Sequence, residues 1–326
     1  MFSKYIAACC LCLSFSLLLA GCSNTETENM LSESDVPIGF GVSVPSTGRA
    51  LLTDASQMGS FKVWGWRTPE NRNVKGQVFD GTTVTYNENS AFHWTYSPTQ
   101  SWILYNSYDF YALYPATLTN ASYNDEGKLS FEGLDIRQSG EYSLDHAIDV
   151  MHAHRQEVVG VTPPERVVLT FNHLLTNVNI SLQMHEDNEG DEIIVNSVLL
   201  YGMDGVATMQ DGVWNTSEPC YLWDMLDTPQ VMEVGNPKVC FANLLMIPQT
   251  IAEGQVTLYV AYSYKQQGST VTTAKTLQTT LGNGEWGSGE KINYIGTIEV
   301  DNTLVFDKPQ VESWGTEQVG GTVVIK

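Results

Sequence analysis

Short apolar runs separated by turn residues are the feature that most restricts the fold of this chain. No stretch carries apolar side chains at helical spacing over about 12 residues. The most regular run covers residues 36–44, where alternate positions are apolar and those between them are glycine, serine or proline; its apolar members are Val36, Ile38, Phe40, Val42 and Val44. Side chains two apart in a strand face the same way, so this run predicts a single strand with one continuous apolar face. The prolines near both ends favour an edge strand.

Further strands are predicted where aromatic and β-branched residues cluster between turn signals. They cover residues 61–66, 93–96, 102–105, 108–114, 167–182, 193–201, 256–264 and 291–300. Short strands at such spacing are typical of β-sandwiches, so the sequence predicts an all-β fold with few short helices. The adjacent Pro163 and Pro164 break β-ladders. We therefore expect a boundary there, within about ten residues, between domains 36–162 and 163–326.

The N-terminus has the form of an export signal. Residues 5–20 are almost wholly apolar, Lys4 precedes them, and Leu19-Ala20-Gly21 leads directly to Cys22. The run is shorter than the roughly 20 residues of a membrane span. It predicts a lipoprotein signal peptide over 1–21 and a lipid anchor on Cys22, with an ordinary secretory signal as the alternative. The polar residues that follow make 22–35 a flexible tether.

Charge and cysteine content agree with an exported protein. The formal net charge is −21, which repels nucleic acid and anionic lipid and makes both poor partners. Outside the leader and Cys22 the chain has Cys220 and Cys240. In an oxidising compartment they form a possible disulfide, and two buried free thiols are the alternative.

Sequence signatures of catalysis and cofactor binding are weak. Gly282, Gly284 and Gly287 match G-x-G-x-x-G, but a β pattern follows them, which indicates a glycine-rich hairpin turn instead of a phosphate site. His152 and His154 would share a strand face, yet their spacing fits no defined metal site. We therefore predict no catalytic residue, no metal, no cofactor and no enzyme activity.

The eight tryptophans suggest a different function. An exposed tryptophan can stack on a sugar ring, although tryptophan in a sandwich more often belongs to the core. A lipid-anchored, cell-surface glycan-binding module therefore stays open as an alternative function.

Several segments, in this order, resemble the Bacteroidales fimbrillins, a FimA/Mfa-like family of lipoprotein pilins that build type V pili. They are the signal ending at Cys22, the strand 36–44 followed by Gly48-Arg49-Ala50, the segment Tyr108–Pro115, Asp149–Ala153 followed by Leu169–Leu175, Trp286–Tyr294, and Val311–Trp314.

The resemblance implies two tandem transthyretin-like β-sandwich domains of Greek-key type. It also implies export to the outer membrane surface, where an arginine-specific protease cuts between Arg49 and Ala50 and removes the first strand. The C-terminal strand of another pilin subunit would then fill the groove, in a homo- or hetero-polymer that forms a fimbrium.

Such a polymer would serve adhesion to a host or bacterial surface, or biofilm formation. The tail is the expected donor strand, because Val319, Val323 and Ile325, with Gly321 on the same face, alternate with Gly320, Thr322 and Val324. A tip or anchor subunit that keeps its lipid and does not polymerise is the alternative.

Overall fold

The structure, a computed structural model, describes residues 33–44, 55–71, 74–143, 146–159 and 164–314. The lipidation residue Cys22, the processing residues Arg49 and Ala50, and the donor residues Val319, Val323 and Ile325 lie outside these ranges.

The first half of the described chain contains twelve strands. They are β1 Glu33–Pro37, β2 Phe40–Ser43, β3 Ser60–Pro69, β4 Gly76–Tyr86, β5 Trp94–Thr95, β6 Ser101–Ile103, β7 Asn106–Tyr114, β8 Thr119–Tyr123, β9 Leu129–Asp135, β10 Arg137–Gln138, β11 Glu141–Tyr142 and β12 Met151–Val159.

Thirteen more strands complete the described part. They are β13 Val167–Thr170, β14 Asn172–His173, β15 Thr176–Met184, β16 Glu192–Gln210, β17 Val213–Val231, β18 Lys238–Met246, β19 Gln249–Ile251, β20 Thr257–Lys265, β21 Thr273–Thr280, β22 Gly284–Trp286, β23 Glu290–Ile298, β24 Leu304–Phe306 and β25 Gln310–Ser313.

Within those ranges helical structure is limited to two short 3-10 helices, Ala55–Met58 and Glu186–Asn188. The all-β prediction is therefore confirmed. Its physical basis is the alternation of buried and exposed side chains, which suits a pleated strand that packs on one face.

Three large sheets organise the fold. A six-stranded sheet has the order β14-β12-β7-β3-β4-β5. An eight-stranded sheet runs β10-β11-β17-β16-β20-β21 and is extended by β9 and β8. A five-stranded sheet has the order β18-β15-β23-β24, with β25 also paired to β23. The pairs β1-β6, β2-β13 and β19-β22 are separate two-stranded ladders.

Two apolar clusters form the interior. The smaller one packs one face of the six-stranded sheet against β2 and β13, and it includes Phe61, Phe110, Met151 and Phe171. The larger one includes residues of the eight- and five-stranded sheets and also the other face of the six-stranded sheet. Val167, Leu169 and Phe171 belong to the smaller cluster, so residues just beyond Pro163 pack with the N-terminal sheet. The division into two tandem domains at this boundary stays a prediction.

Two local predictions were wrong. Residues 36–44 are two strands, because the chain changes pairing partner between Pro37 and Phe40. The glycine-rich segment is not a hairpin turn either, since β22 pairs with β19 whereas β23 pairs with β15.

Candidate functional site: the N-terminal strand and its groove

The segment 33–44 lies between two separate strands and is hydrogen-bonded to both. On one side β1 pairs with β6 in antiparallel fashion, and the Ile38 N–H donates to the Gln100 carbonyl at 2.8 Å. On the other side the Val167 N–H donates to the Gly39 carbonyl at 2.7 Å, and β2 continues parallel to β13. The change of partner at Ile38 and Gly39 explains the break between the two strands.

Ile38 and Phe40 are the buried anchors of this segment. Their side chains are 1% and 0% exposed. The Phe40 ring contacts the rings of Phe79, Tyr96 and Phe110, with centroids 5.4, 5.6 and 5.8 Å away. Burying two such side chains contributes about 3–6 kcal/mol, taken as an upper estimate. The segment therefore fills a gap in the N-terminal core instead of lying on its surface.

The rest of the predicted apolar face is less deeply inserted. Val42 and Val44 are half-buried and pack against the same cluster. Val36 is 46% exposed, so it does not belong to the buried face that the alternation predicted. The reason is that Val36 lies in β1, which pairs with β6, whereas the buried anchors Ile38 and Phe40 lie at and beyond the change of pairing partner.

The face of the segment opposite Ile38 and Phe40 carries small residues, because the chain at Glu165 and Arg166 passes close to it. A Cβ atom at Gly39 would lie 3.2 Å from the carbonyl oxygen of Glu165, which is tighter than ordinary contact. At Gly41 the nearest atom would be Cδ of Arg166 at 3.5 Å, an ordinary contact. Glycine is thus needed more strictly at position 39 than at 41.

Removal of the segment would uncover two strand edges. In the described part of the chain, β13 forms its ladder with β2 and β6 forms its ladder with β1. Without residues 33–44, both strands would present unpaired backbone groups beside an apolar groove lined by Phe79, Phe110 and Leu169. Such a groove accepts another extended chain whose alternate side chains are apolar.

A buried polar contact anchors the other end of the described chain. Nδ1 of His173 lies 3.0 and 2.9 Å from the two carboxylate oxygens of Asp149, and both side chains are almost fully buried. Burial raises the pKa of Asp149, although the hydrogen bond with His173 acts in the opposite direction. The ring of Trp314, the last described residue, covers the imidazole of His173. The tail with the predicted donor strand continues from this point.

Cys220 and Cys240 are free thiols in the structure. This corresponds to the alternative of two buried free thiols and not to a disulfide. Cys220 lies in β17 of the eight-stranded sheet and Cys240 in β18 of the five-stranded sheet, and both are buried. Burial raises the pKa of each thiol to about 12.

The histidines of β12 do not assemble into a larger polar cluster. The rings of His152 and His154 are 6.4 Å apart, and burial followed by the charge of His154 lowers the pKa of His152 to about 4. Over the described ranges no group of three or more His, Cys, Asp and Glu residues is placed to hold a metal ion. In the same ranges no helix has the length and apolar character needed to cross a bilayer.

The tryptophans divide between core and surface. Six are buried: Trp64, Trp66, Trp94, Trp102, Trp286 and Trp314. Trp214 is half-buried against the larger cluster. Trp223 is 50% exposed, and it was not singled out from the sequence. The dipeptide Asp211-Gly212, which joins β16 to β17, is a hairpin signal. It could have placed Trp223 on a strand that has one buried and one exposed face.

Comparison with known families decides the relationship. A family model described as fimbrillin-like matches residues 49–314, well over half of the chain. This chain belongs to the fimbrillin-like family. The recognition made from the sequence is therefore confirmed. The match includes the groove walls and Trp314, and it begins after the segment 33–44.

A solved structure shows the same fold at low sequence identity. A fimbrial protein from Bacteroides vulgatus is similar with a TM-score of 0.63 and 16% identity, over 85% of this chain and 99% of that one. A protein from Bacteroides uniformis provisionally assigned to cell adhesion has a TM-score of 0.46 and 14% identity, over 86% of this chain and 99% of that one. No curated protein matches the chain.

Proposed function

We propose that this fimbrillin-like chain is a structural subunit of a type V pilus, exported to the outer membrane surface as a lipoprotein anchored through Cys22. An arginine-specific protease cuts after Arg49, and the subunit then assembles with other pilin subunits by donor-strand exchange. The resulting fimbrium serves adhesion or biofilm formation.

The observation that carries this proposal is the position of residues 33–44. Ile38 and Phe40 are buried in the N-terminal core, yet the segment is covalently connected to the body only through residues 45–54. Arg49 lies within that connection. One cut there separates the anchor and the inserted strand from residues 50–326, while the groove walls stay with the body.

The energetic logic favours replacement of the strand. A body with an empty groove exposes apolar side chains and two unpaired edges, which is unfavourable in water. The C-terminal tail of a neighbour offers alternating apolar residues at Val319, Val323 and Ile325. Its insertion restores both the ladder hydrogen bonds and the apolar contacts, now between subunits.

Substitution of the processing residue tests the proposal. We expect Arg49→Ala to leave a full-length, lipid-anchored monomer, whereas the native chain gives processed subunits and heat-resistant ladders on a gel. The exposed Arg155 in β12 supplies the control, because Arg155→Ala removes an arginine outside the connection. Unchanged ladders in the Arg49 variant would contradict the proposal.

Deletion of residues 316–326 tests the donor. A processed subunit without its tail keeps a groove but has no strand to give, so it ends a growing chain. Mixed with native subunits in rising proportion, the deleted form should shorten the fibres progressively. Fibres of unchanged length would exclude the tail as the donor strand.

The same experiments address the alternatives. A glycan-binding module that does not polymerise, or a tip or anchor subunit that keeps its lipid, would remain full length in cells that also contain the protease.

A further inference from the structure

A second feature of the molecule lies on the outer face of the eight-stranded sheet, far in sequence from the N-terminal strand. A cavity of about 530 Å³ opens between β17, β16, β20 and β21. This volume lies within the range of about 300–1,000 Å³ that ligand pockets occupy. Its lining includes Trp223 on β17, Ser197 and Leu199 on β16, and Tyr259 and Ala261 on β20.

Strand register brings two aromatic side chains to the sides of this cavity. Leu199 pairs with Trp223 on one neighbouring strand and with Tyr259 on the other. Trp223 and Tyr259 therefore stand two strands apart, which corresponds to about 10 Å at the usual strand spacing. Leu199 lies between them, and Ser197 and Ala261 lie two residues further along the same strands; these smaller side chains form the floor. That separation leaves room for one six-membered ring between the two aromatic side chains.

Both aromatic residues are exposed without any role in the core. Trp223 is 50% and Tyr259 is 40% exposed, and neither belongs to the apolar clusters. Exposed aromatic residues at a concave site generally mark a binding surface. Their hydrophobic area would otherwise be unfavourable in water.

The polar groups of the cavity select the kind of ligand. Thr276 and Gln278 on β21, with Ser197 on the floor, supply hydroxyl and amide groups. None of the described residues that line the cavity carries a charge. The formal net charge of −21 disfavours an anionic ligand. Aromatic faces combined with neutral hydrogen-bonding groups suit a ligand that has C–H faces and many hydroxyl groups.

We propose that this cavity is a binding site for a neutral saccharide. A sugar ring lies between Trp223 and Tyr259, and its hydroxyl groups form hydrogen bonds with Ser197, Thr276 and Gln278. The site goes beyond pilus assembly, because it belongs to each subunit and does not involve the groove. A fibre would carry one such site per subunit, and multivalent attachment would raise the overall avidity.

Tryptophan fluorescence and calorimetry test the site on the full-length chain, purified in a detergent without a sugar headgroup. The probes are lactose, maltose, cellobiose and chitobiose, with sialyllactose as an anionic counterpart of lactose. Six of the eight tryptophans are buried, and Trp214 is half-buried outside the cavity, so a change in emission on titration that is absent in Trp223→Ala reports on Trp223.

Substitutions assign the binding to the cavity. Loss of a central aromatic contact commonly weakens binding about tenfold or more, and we expect that loss for Trp223→Ala and Tyr259→Ala. Tyr105→Ala is the matched control, since Tyr105 is 59% exposed and lies outside the cavity. The expected result is binding of at least one neutral disaccharide, weakened by both cavity substitutions and unaffected by the control.

Three outcomes would overturn the proposal. One is that none of the four neutral disaccharides binds. Another is that binding persists unchanged in Trp223→Ala. The third is that Trp223→Ala disrupts fibres while no saccharide binds, which would make this face a contact between subunits.

Discussion

The indole ring of Trp314 lies flat on the imidazole ring of His173, with centroids 3.6 Å apart and planes 7° from parallel. His173 follows Phe171 by two residues, and the Phe171 N–H donates to the Ser43 carbonyl at 2.9 Å. The residues just before the tail therefore rest on the same short segment that pairs with the N-terminal strand. Removal of that strand would take away a backbone partner of the segment that supports Trp314.

Truncation of Trp314 should destabilise the whole fold. The side chain is buried, so Trp314→Ala is expected to lower the free energy of unfolding by about 3–5 kcal/mol. Trp314→Phe keeps a ring over His173 and should cost less. Chemical denaturation measures both, and the exposed Val311→Ala serves as the control. Equal losses in Trp314→Ala and Val311→Ala would contradict a structural role for the stacked pair.

Phe40 should matter only before processing. In the full-length chain, Phe40→Ala removes the centre of an aromatic cluster and should lower the free energy of unfolding by about 3–5 kcal/mol. In processed fibres residue 40 is absent, so fibre stability should equal that of the native protein. Val36→Ala, at an exposed position, should have little effect on either form. A weaker fibre in Phe40→Ala would show that the first strand stays in the assembled subunit.

The hydroxyl group of Tyr96 should hold the first strand in place. It donates to the Ile38 carbonyl at 2.7 Å, and a single hydrogen bond contributes about 0.5–1.5 kcal/mol. Tyr96→Phe keeps the ring against Phe40 and removes this bond, together with the longer hydrogen bonds between the hydroxyl and the backbone of Gln100. We expect faster hydrogen exchange at the Val167 amide, which donates to the Gly39 carbonyl. If exchange there does not change, the bond does not contribute to strand retention.

The two cysteines should be unreactive in the folded protein. Burial raises the pKa of both Cys220 and Cys240 to about 12, so each stays a neutral thiol near pH 8. Because the folded pKa exceeds the unfolded value of about 9, their contribution to stability is complete below pH 9 and is lost as the pH rises toward 12. A thiol reagent at pH 8 should label them slowly before unfolding and rapidly after it. Rapid labelling of the folded chain, or no labelling after unfolding without reductant, would contradict this.

The fold class was predictable because alternation of side chains reports directly on strands. The strand predicted over 108–114 agrees with β7 to within two residues, because turn signals stand on both sides of it. The strand predicted over 193–201 is too short, because β16 continues to Gln210. The chain then turns through Asp211-Gly212, and both residues have positive φ. That dipeptide is a strong hairpin signal and could have been used.

The candidate site was predictable only in part. Burial of Ile38 and Phe40 follows from their size and spacing, but the change of strand partner at Gly39 depends on the approach of Glu165 from far along the chain. The exposure of Trp223 depends on which face of the eight-stranded sheet is covered. Neither fact is contained in local sequence pattern.

The most direct test is the N-terminal residue and mass of the subunit in fibres extracted from cells. We predict a polypeptide that begins at Ala50 and lacks residues 33–44. A polymeric subunit that still begins at a lipid-modified Cys22, with the first strand intact, would contradict it.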